Sequence, residues 1–244
     1  MFQLKRVSLL FLLLLINWGT SAQNIKAIYR IEKEININGG NGNKSLSLSL
    51  TGHYYKSGNK YIYWETPDYL AKYPDGKVSI SNDNVFNIYT LNPDTIQKLY
   101  YHDYDSLIVR MGLFSEYQRP ITEFKFEADA SLPWVFETDT KVINGLKCQL
   151  ATWSNQWRVW FCPDISVKTS LHGLQGLPGL VVEADCPPTN AHYTLLNYDM
   201  PTMIQEAVFN PAVFKQPMVK GGLLKRKAIP VKTKQEKQAE LLKQ

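Results

Sequence analysis

Polar and apolar residues alternate along most of the chain, a pattern typical of half-buried β-strands. The run SLSLSL at 45–50 places Leu46, Leu48 and Leu50 on one face and three serines on the other. Helical periodicity is limited to 202–208 and the end of the chain. The alternation predicts strands over 25–35, 45–50, 53–64, 78–91, 95–101, 105–111, 121–127, 134–143, 146–153, 157–162, 180–185 and 192–198.

Turn-forming residues separate these ranges at fairly regular intervals. They are Gly39-Gly40, Ser57-Gly58-Asn59, Pro74-Asp75-Gly76, Asn92-Pro93-Asp94 and Asn144-Gly145. The predicted fold is mainly β: a meandering antiparallel sheet, curved or closed into a barrel or half-barrel, with little helix. The aromatic content, with 14 Tyr, 10 Phe and 6 Trp, suits strands that pack against a broad core.

The first 22 residues have the three parts of a secretory signal peptide. Lys5 and Arg6 precede the apolar run 7–16, and small residues at Thr20 and Ala22 suit cleavage after Ala22. The apolar run is about half the length that spans a bilayer. We therefore expect export to the periplasm or the cell exterior, and no membrane span in the mature chain.

Charge divides the rest of the chain into two parts. The formal charge of the whole chain is +5, residues 220–244 carry a net +6, and residues 23–219 carry a net −3. We expect a single β-rich domain over 23–219 and a basic C-terminal tail, partly disordered or helical, over 220–244. The tail suits an anionic surface. Export and a mildly acidic domain exclude nucleic acid as the expected partner.

The stretch LHGLQGLPGLV at 171–181 repeats leucine and glycine every third residue, the period of polyproline II or a short 3₁₀ segment. Its spacing fits neither a dinucleotide fingerprint nor a phosphate loop. The leucines would fill apolar holes, while the glycines let the backbone approach a neighbour closely. Two interpretations remain, a structural clasp that closes the sheet or a ligand-contacting lip, both made by Gly173, Gly176, Leu177, Pro178, Gly179 and Leu180.

Three segments in fixed order carry a resemblance to a known family. GLPGLV at 176–181 follows NGLKCQLATW at 144–153 and WRVWFCPDIS at 157–166. With the signal peptide, this order resembles the GLPGLI family of exported envelope proteins over residues 1 to about 200. Val181 departs from the final isoleucine of the family's hexapeptide, and Cys162 stands where threonine is usual. The resemblance implies a secreted β-rich protein and transfers no activity or catalytic residue.

Catalytic patterns are weak in this sequence. The four histidines are too scattered for a metal-binding motif, and Cys186 with His172 or His192 has no signature of a nucleophilic pair. Glu183 and Asp185 share a strand face, where alternating acids are usually solvated. We therefore assign no catalytic, cofactor-binding or metal-binding residue and expect no cofactor.

Two tryptophans are the candidate binding residues. Trp153 and Trp157 flank the predicted turn 154–156, where their indoles would contact a ligand or pack against each other. With the aromatic and apolar alternation, they favour an exported, non-enzymatic β protein that binds an apolar or envelope-derived ligand, or an envelope protein partner, in a concave sheet. A secreted hydrolase with an unrecognised site is the alternative.

The three cysteines are an odd number for an oxidising compartment. If Trp153 opposes Trp157 in a hairpin, the same register places Cys148 opposite Cys162, at a separation that a disulfide accepts. A turn shifted by one residue would send the two sulfurs to opposite faces. The predicted disulfide is therefore Cys148–Cys162, with Cys186 unpaired.

Overall fold

A computed structural model of the chain describes residues 23–39, 42–82, 85–112, 120–127, 131–201 and 203–224. The predicted signal peptide at 1–22 and residues 225–244 of the predicted tail lie outside these residues. The described part is mainly β, as the alternation predicts. None of its helical segments is long and apolar enough to cross a membrane.

Most of the described residues belong to strands, and most of these strands overlap a predicted range. The predicted range 53–64 instead spans two strands and the turn between them, and no range predicts the strand at Val219–Leu224. The strands are β1 (Ile25–Gly39), β2 (Gly42–Ser57), β3 (Lys60–Thr66), β4 (Lys77–Asn82), β5 (Val85–Thr90), β6 (Gln97–Asp103), β7 (Ile108–Gly112), β8 (Thr122–Phe126), β9 (Val135–Ile143), β10 (Leu146–Trp153), β11 (Trp157–Cys162), β12 (Leu180–Cys186), β13 (Ala191–Asp199) and β14 (Val219–Leu224). Short 3₁₀ segments lie at Asp68–Ala71, Leu171–Gly173, Pro187–Thr189, Glu206–Phe209 and Ala212–Lys215.

Twelve strands form one sheet, in the order β14-β8-β7-β6-β3-β2-β1-β13-β12-β11-β10-β9. Its neighbours are antiparallel except β14 and β8, which run parallel, so the sheet is mixed. Its edge strands are β14 and β9, which do not pair with each other, so the sheet is open. Of the predicted alternatives, the closed barrel is therefore wrong. β4 and β5 pair as a separate antiparallel two-stranded sheet, where the alternation predicts one strand over 78–91.

Each face of the sheet carries its own core. The inner face buries the alternate residues Ile25, Ala27, Tyr29 and Ile31 of β1, and Leu48 and Leu50 of β2, as the SLSLSL pattern predicts. On the outer face, Ile62, Leu99 and Tyr101 pack beneath Phe209 and Phe214 from two 3₁₀ segments. The helical pattern predicted at 202–208 thus corresponds to a single 3₁₀ turn at Glu206–Phe209.

The predicted boundary between residues 219 and 220 falls inside β14. Lys220 forms an ion pair with Glu123 of β8, and Leu224 packs beside Phe126. A Cβ on Gly221 would lie 2.2 Å from the Phe124 ring, so the absence of a side chain lets this strand approach β8. Residues 220–224 therefore belong to the sheet rather than to the tail.

The hairpin of β10 and β11 has the predicted register. Trp153 opposes Trp157, and the pairing continues to Gln149 opposite Phe161, one position short of Cys148 and Cys162. All three cysteines are buried free thiols in the structure. The register is therefore confirmed, and the disulfide stays a prediction.

Candidate functional site

The inner face of the sheet encloses a first cavity of about 230 Å³. Side chains of β6, β7 and β8 line one part of it and those of β10 and β11 line another, although five strands separate these groups in the sheet order. Such distant strands can share a cavity only because the sheet curves. The apolar and aromatic lining consists of Tyr100, Val109, Met111, Phe126, Leu132, Trp153, Trp157, Leu174 and Leu224.

The segment 163–179, which joins β11 to β12, lies against the inner face and closes this cavity. Leu171, Leu174, Leu177 and Leu180 are all buried, as their spacing predicts. The Gln175 carbonyl accepts a hydrogen bond of 2.8 Å from the Trp134 indole. The leucines of this stretch therefore pack into the core, and His172, Gly173, Leu174 and Gln175 line the cavity.

The structure brings together only some of the predicted binding residues. Trp153, Trp157 and Gly173 line the first cavity, whereas Gly176, Leu177, Pro178, Gly179 and Leu180 do not. Trp157 is only 7% exposed, so its indole is buried rather than open to solvent at the hairpin tip. Its ring packs instead against His172 and Tyr193, at centroid distances of 5.3 and 5.5 Å.

His172 is held in a mostly buried position by aromatic rings. Its backbone φ of 57° lies in the left-handed region, which is uncommon for residues other than glycine and recurs at functional sites. Its side chain is 12% exposed, and its ring also contacts Tyr63 and Tyr100. This backbone conformation directs the His172 side chain from the connecting segment into the core of the inner face.

A fully buried carboxylate, Glu65 on β3, is the partner of this histidine. Glu65 Oε1 lies 3.0 Å from His172 Nε2 and accepts a 3.0 Å hydrogen bond from the Tyr63 hydroxyl. Glu65 Oε2 makes no hydrogen bond but lies 3.4 Å from the Lys98 ammonium. The charge of a buried carboxylate needs such partners because desolvation is costly.

Lys98 reaches Glu65 through an irregularity in β6. The pairing of β3 and β6 shifts between Tyr63 and Glu65, so that β6 has one extra residue, and Lys98 has a φ of 49°. A bulge of this kind redirects a side chain and is frequent beside functional sites. Two left-handed residues other than glycine, Lys98 and His172, thus meet at one carboxylate.

The protonation states follow from these contacts. Burial, and then the Lys98 charge, lower the pKa of His172, so its imidazole is neutral near neutral pH. Burial alone would raise the pKa of Glu65, but the hydrogen bond from His172 and the nearby charges outweigh it and hold that pKa below its ordinary value. A neutral imidazole beside an ionised carboxylate carries its proton on Nε2. Its Nδ1 is then an acceptor that makes no hydrogen bond with any described residue.

A second cavity of about 140 Å³ lies on the other side of this cluster. Glu65 and Lys98 line the second cavity, whereas His172 lines the first. The remaining lining comes from β1, which supplies Lys33, from β2, and from Tyr69, residues 90–92, Gln97 and Ala191. The Glu65–Lys98–His172 cluster therefore lies between the two cavities.

The other titratable residues considered from the sequence are paired near the surface. Asp185 contacts His192 Nδ1 at 2.7 Å, and Glu183 contacts Lys141 at 2.7 Å, so the two carboxylates do not act together. His172 has no cysteine among its hydrogen-bond partners within the described residues. Across the same residues, no group of three or more His, Cys, Asp or Glu side chains is arranged to hold a metal ion.

Sequence reasoning missed Glu65, Lys98, Lys33 and Tyr193. The alternation does indicate two of them. Lys33 follows Tyr29 and Ile31 at every second position of β1, and Glu65 follows Tyr61 and Tyr63 in the same way on β3, so both are predicted to face the core. A charged residue on the apolar face of a strand is unusual and therefore indicates a candidate functional residue, as a motif would. The bulge at Lys98 and the approach of Tyr193 have no such local signal.

Comparison with protein-family models gives no match, and comparison with curated proteins gives none either. Among solved structures, the chain is similar to PNGF-II, with a TM-score of 0.47 and 12% sequence identity. The match covers 82% of this chain and 31% of that one, so the chain spans less than a third of PNGF-II.

Proposed function

We propose that this protein binds a small, largely apolar ligand in the first cavity. The observation that carries the proposal is the lining itself, in which aromatic and aliphatic side chains surround a few polar groups. Most small-molecule sites have this composition, because apolar walls supply affinity and a few polar atoms fix orientation. The acceptor Nδ1 of His172 would receive a hydrogen bond from a hydroxyl or amide of the ligand.

Size narrows the class of ligand. A cavity of about 230 Å³ is smaller than the roughly 300–1,000 Å³ of most ligand pockets. We therefore infer a compact ligand, aromatic or short-chain, rather than a whole lipid. An envelope-derived molecule of this size fits the proposed export and the proposed membership of the GLPGLI family, which rest on the sequence patterns of 1–22 and 144–181. An envelope protein partner and an anionic surface for the tail are proposals from the sequence alone.

Mass spectrometry of the protein purified under native conditions tests for a co-purifying small molecule, and calorimetric titration with benzyl alcohol tests the cavity directly. Met111→Phe should weaken benzyl alcohol binding at least tenfold, because Met111 lines the cavity and a larger ring fills it. Met218→Phe is the matched control, since Met218 is also half-buried but packs against the outer core. No co-purifying molecule together with no benzyl alcohol binding would overturn the proposal.

A secreted hydrolase is the second candidate, and the Glu65–His172 pair is the observation that favours it. A carboxylate that fixes the imidazole tautomer leaves the other ring nitrogen available as a general base. The side-chain polar atoms near His172 Nε2 belong to Glu65, Tyr193 and Lys98, so the described residues place no serine, threonine or cysteine nucleophile on it. Product release from ester, peptide or glycoside libraries, lost in His172→Asn, would favour the hydrolase over simple binding.

A further inference from the structure

The second cavity combines apolar walls with an excess of positive charge. Ile31, Ile35, Leu48 and Leu50 from β1 and β2 form its apolar floor. Two lysines, Lys33 and Lys98, and one carboxylate, Glu65, are the charged side chains among the described residues that line it. An apolar cavity with a net positive charge is costly unless an anion binds there.

Lys33 is held inside by strand register. On β1 it lies between Ile31 and Ile35 on the inner face, opposite Leu48 of β2 and Ala191 of β13. Its ammonium group makes no hydrogen bond or ion pair with any other described residue. Burial, and then the charge of Lys98, lower the pKa of Lys33, in keeping with a lysine short of counter-charge.

The neighbouring polar groups are already engaged. Glu65 is bound by Tyr63, His172 and Lys98, and its Oε2 lies 3.4 Å from the Lys98 ammonium. The Gln97 amide donates to the Tyr69 hydroxyl at 2.7 Å. The single carboxylate pairs with Lys98 and also attracts Lys33, so two lysines share one carboxylate and the described lining keeps a net positive charge.

We infer that the second cavity binds a small amphiphilic anion, a carboxylate with a short apolar chain, whose charged end pairs with Lys33 beside Lys98 and whose chain lies among Ile31, Ile35, Leu48 and Leu50. The ion pair with Lys33 favours an anion over a neutral ligand. The aliphatic floor favours an anion that carries an apolar chain over an inorganic anion. This site is separate from the first cavity and does not depend on the function proposed for it.

Calorimetric titration of the purified protein with sodium hexanoate tests the site, with hexan-1-ol and inorganic phosphate as matched probes. Hexanoate should bind at least tenfold more tightly than either probe. Equal affinity for hexan-1-ol would overturn the role of the charge. Equal affinity for phosphate would overturn the role of the chain, and no binding of hexanoate would overturn the site.

Substitutions on β1 locate the site. Lys33→Met should weaken hexanoate binding at least tenfold, and Lys33→Arg should retain it. The control is Lys26→Met, since Lys26 lies on the same strand with its side chain exposed. Lys33→Met should melt at or above the parent temperature, because methionine suits the apolar neighbours, so lost binding cannot be ascribed to unfolding. Unchanged binding in Lys33→Met would overturn the assignment, and Met111→Phe, which fills only the first cavity, should leave hexanoate binding intact.

Discussion

Glu65 is fully buried, and its carboxylate is held by groups from three separate parts of the chain. Tyr63 is two residues away, Lys98 is on the next strand of the sheet, and His172 is 107 residues away in sequence. Lys98 and His172 both adopt a left-handed backbone to reach it, at a cost of about 1–3 kcal/mol each. Strain retained around a buried charge, between two cavities, favours a functional role for the cluster over a purely structural one.

The protonation of this cluster predicts a loss of stability in acid. His172 has a lowered pKa in the fold, so below its ordinary value of 6.5 the unfolded chain binds a proton that the native protein does not. Stability therefore falls as pH decreases below 6.5, by up to about 1.4 kcal/mol per pH unit. Glu65, whose pKa is also lowered, adds a second loss below its ordinary value of 4.5.

His172→Asn isolates the first of these losses. Asparagine tolerates the left-handed backbone and keeps a donor for Glu65, but it does not titrate. Denaturant unfolding between pH 5 and 7 should give a smaller slope of stability against pH in His172→Asn than in the parent. His192→Asn is the control, because His192 is paired with Asp185 near the surface. Equal slopes in the parent and His172→Asn would contradict a buried neutral histidine.

At the scale of elements, the segment between β11 and β12 is the part that organises the site. It delivers His172 to Glu65 and closes the first cavity with Leu174 and Gln175. It is fastened to the sheet by buried hydrogen bonds of 2.8 Å, which the Tyr54 hydroxyl donates to the Thr169 carbonyl and the Trp134 indole donates to the Gln175 carbonyl. The buried leucines and the residues that line the first cavity thus belong to one segment, so the clasp and the ligand lip stay compatible predictions.

The glycines of this segment should differ in how well they accept a side chain. A Cβ on Gly179 would lie 2.0 Å from the Cys162 carbonyl oxygen, and one on Gly176 would lie 1.9 Å from Ser131 Oγ at a φ of 88°. A Cβ on Gly173 would meet only side chains, at 3.0 Å and beyond. We expect Gly176→Val and Gly179→Val to destabilise by a few kcal/mol, and more than Gly173→Val.

Gly145→Val is the matched control for these variants. Gly145 has a φ of 79°, but a Cβ added there would have no neighbouring atom within 4 Å, so valine adds backbone strain without a clash. Thermal melts should therefore place Gly145→Val between the parent and Gly179→Val. Melting temperatures for Gly176→Val and Gly179→Val that match the parent would contradict the clasp.

For the whole molecule, the sequence predicts where the strands are much better than it predicts which strands pair. Leu48 and Leu50 face the core as their alternation requires, and the turn at Asn144-Gly145 joins β9 to β10 with both residues at positive φ. These features are local, since side-chain alternation and turn geometry depend on adjacent residues. The parallel pairing of β14 with β8 joins segments about a hundred residues apart and has no local signal.

Most of the candidate site cannot be predicted from local sequence patterns, because its residues come from distant parts of the chain. Trp153, Trp157 and Gly173 can be identified from sequence because they flank a turn or belong to a repeat. Their common cavity exists only because strands separated by five others in the sheet curve toward each other. The Glu65–His172 contact further depends on a left-handed loop residue, which sequence alone does not assign to histidine.

Whether Cys148 and Cys162 form a disulfide depends on whether the protein folds in an oxidising compartment. The hairpin register predicts which two cysteines would pair. With Gln149 opposite Phe161, the next positions outward are Cys148 and Cys162, and both are buried. Burial, and then the proximity of Cys162, raise the pKa of Cys148 to about 11, so its thiolate is scarce and the folded protein should oxidise slowly. We therefore expect a disulfide to form during folding in an oxidising compartment, and to stabilise by about 3 kcal/mol for a loop of this length. Non-reducing peptide mapping of exported protein should find Cys148 linked to Cys162 and Cys186 free, whereas alkylation of all three cysteines in unreduced, denatured protein would contradict the bond.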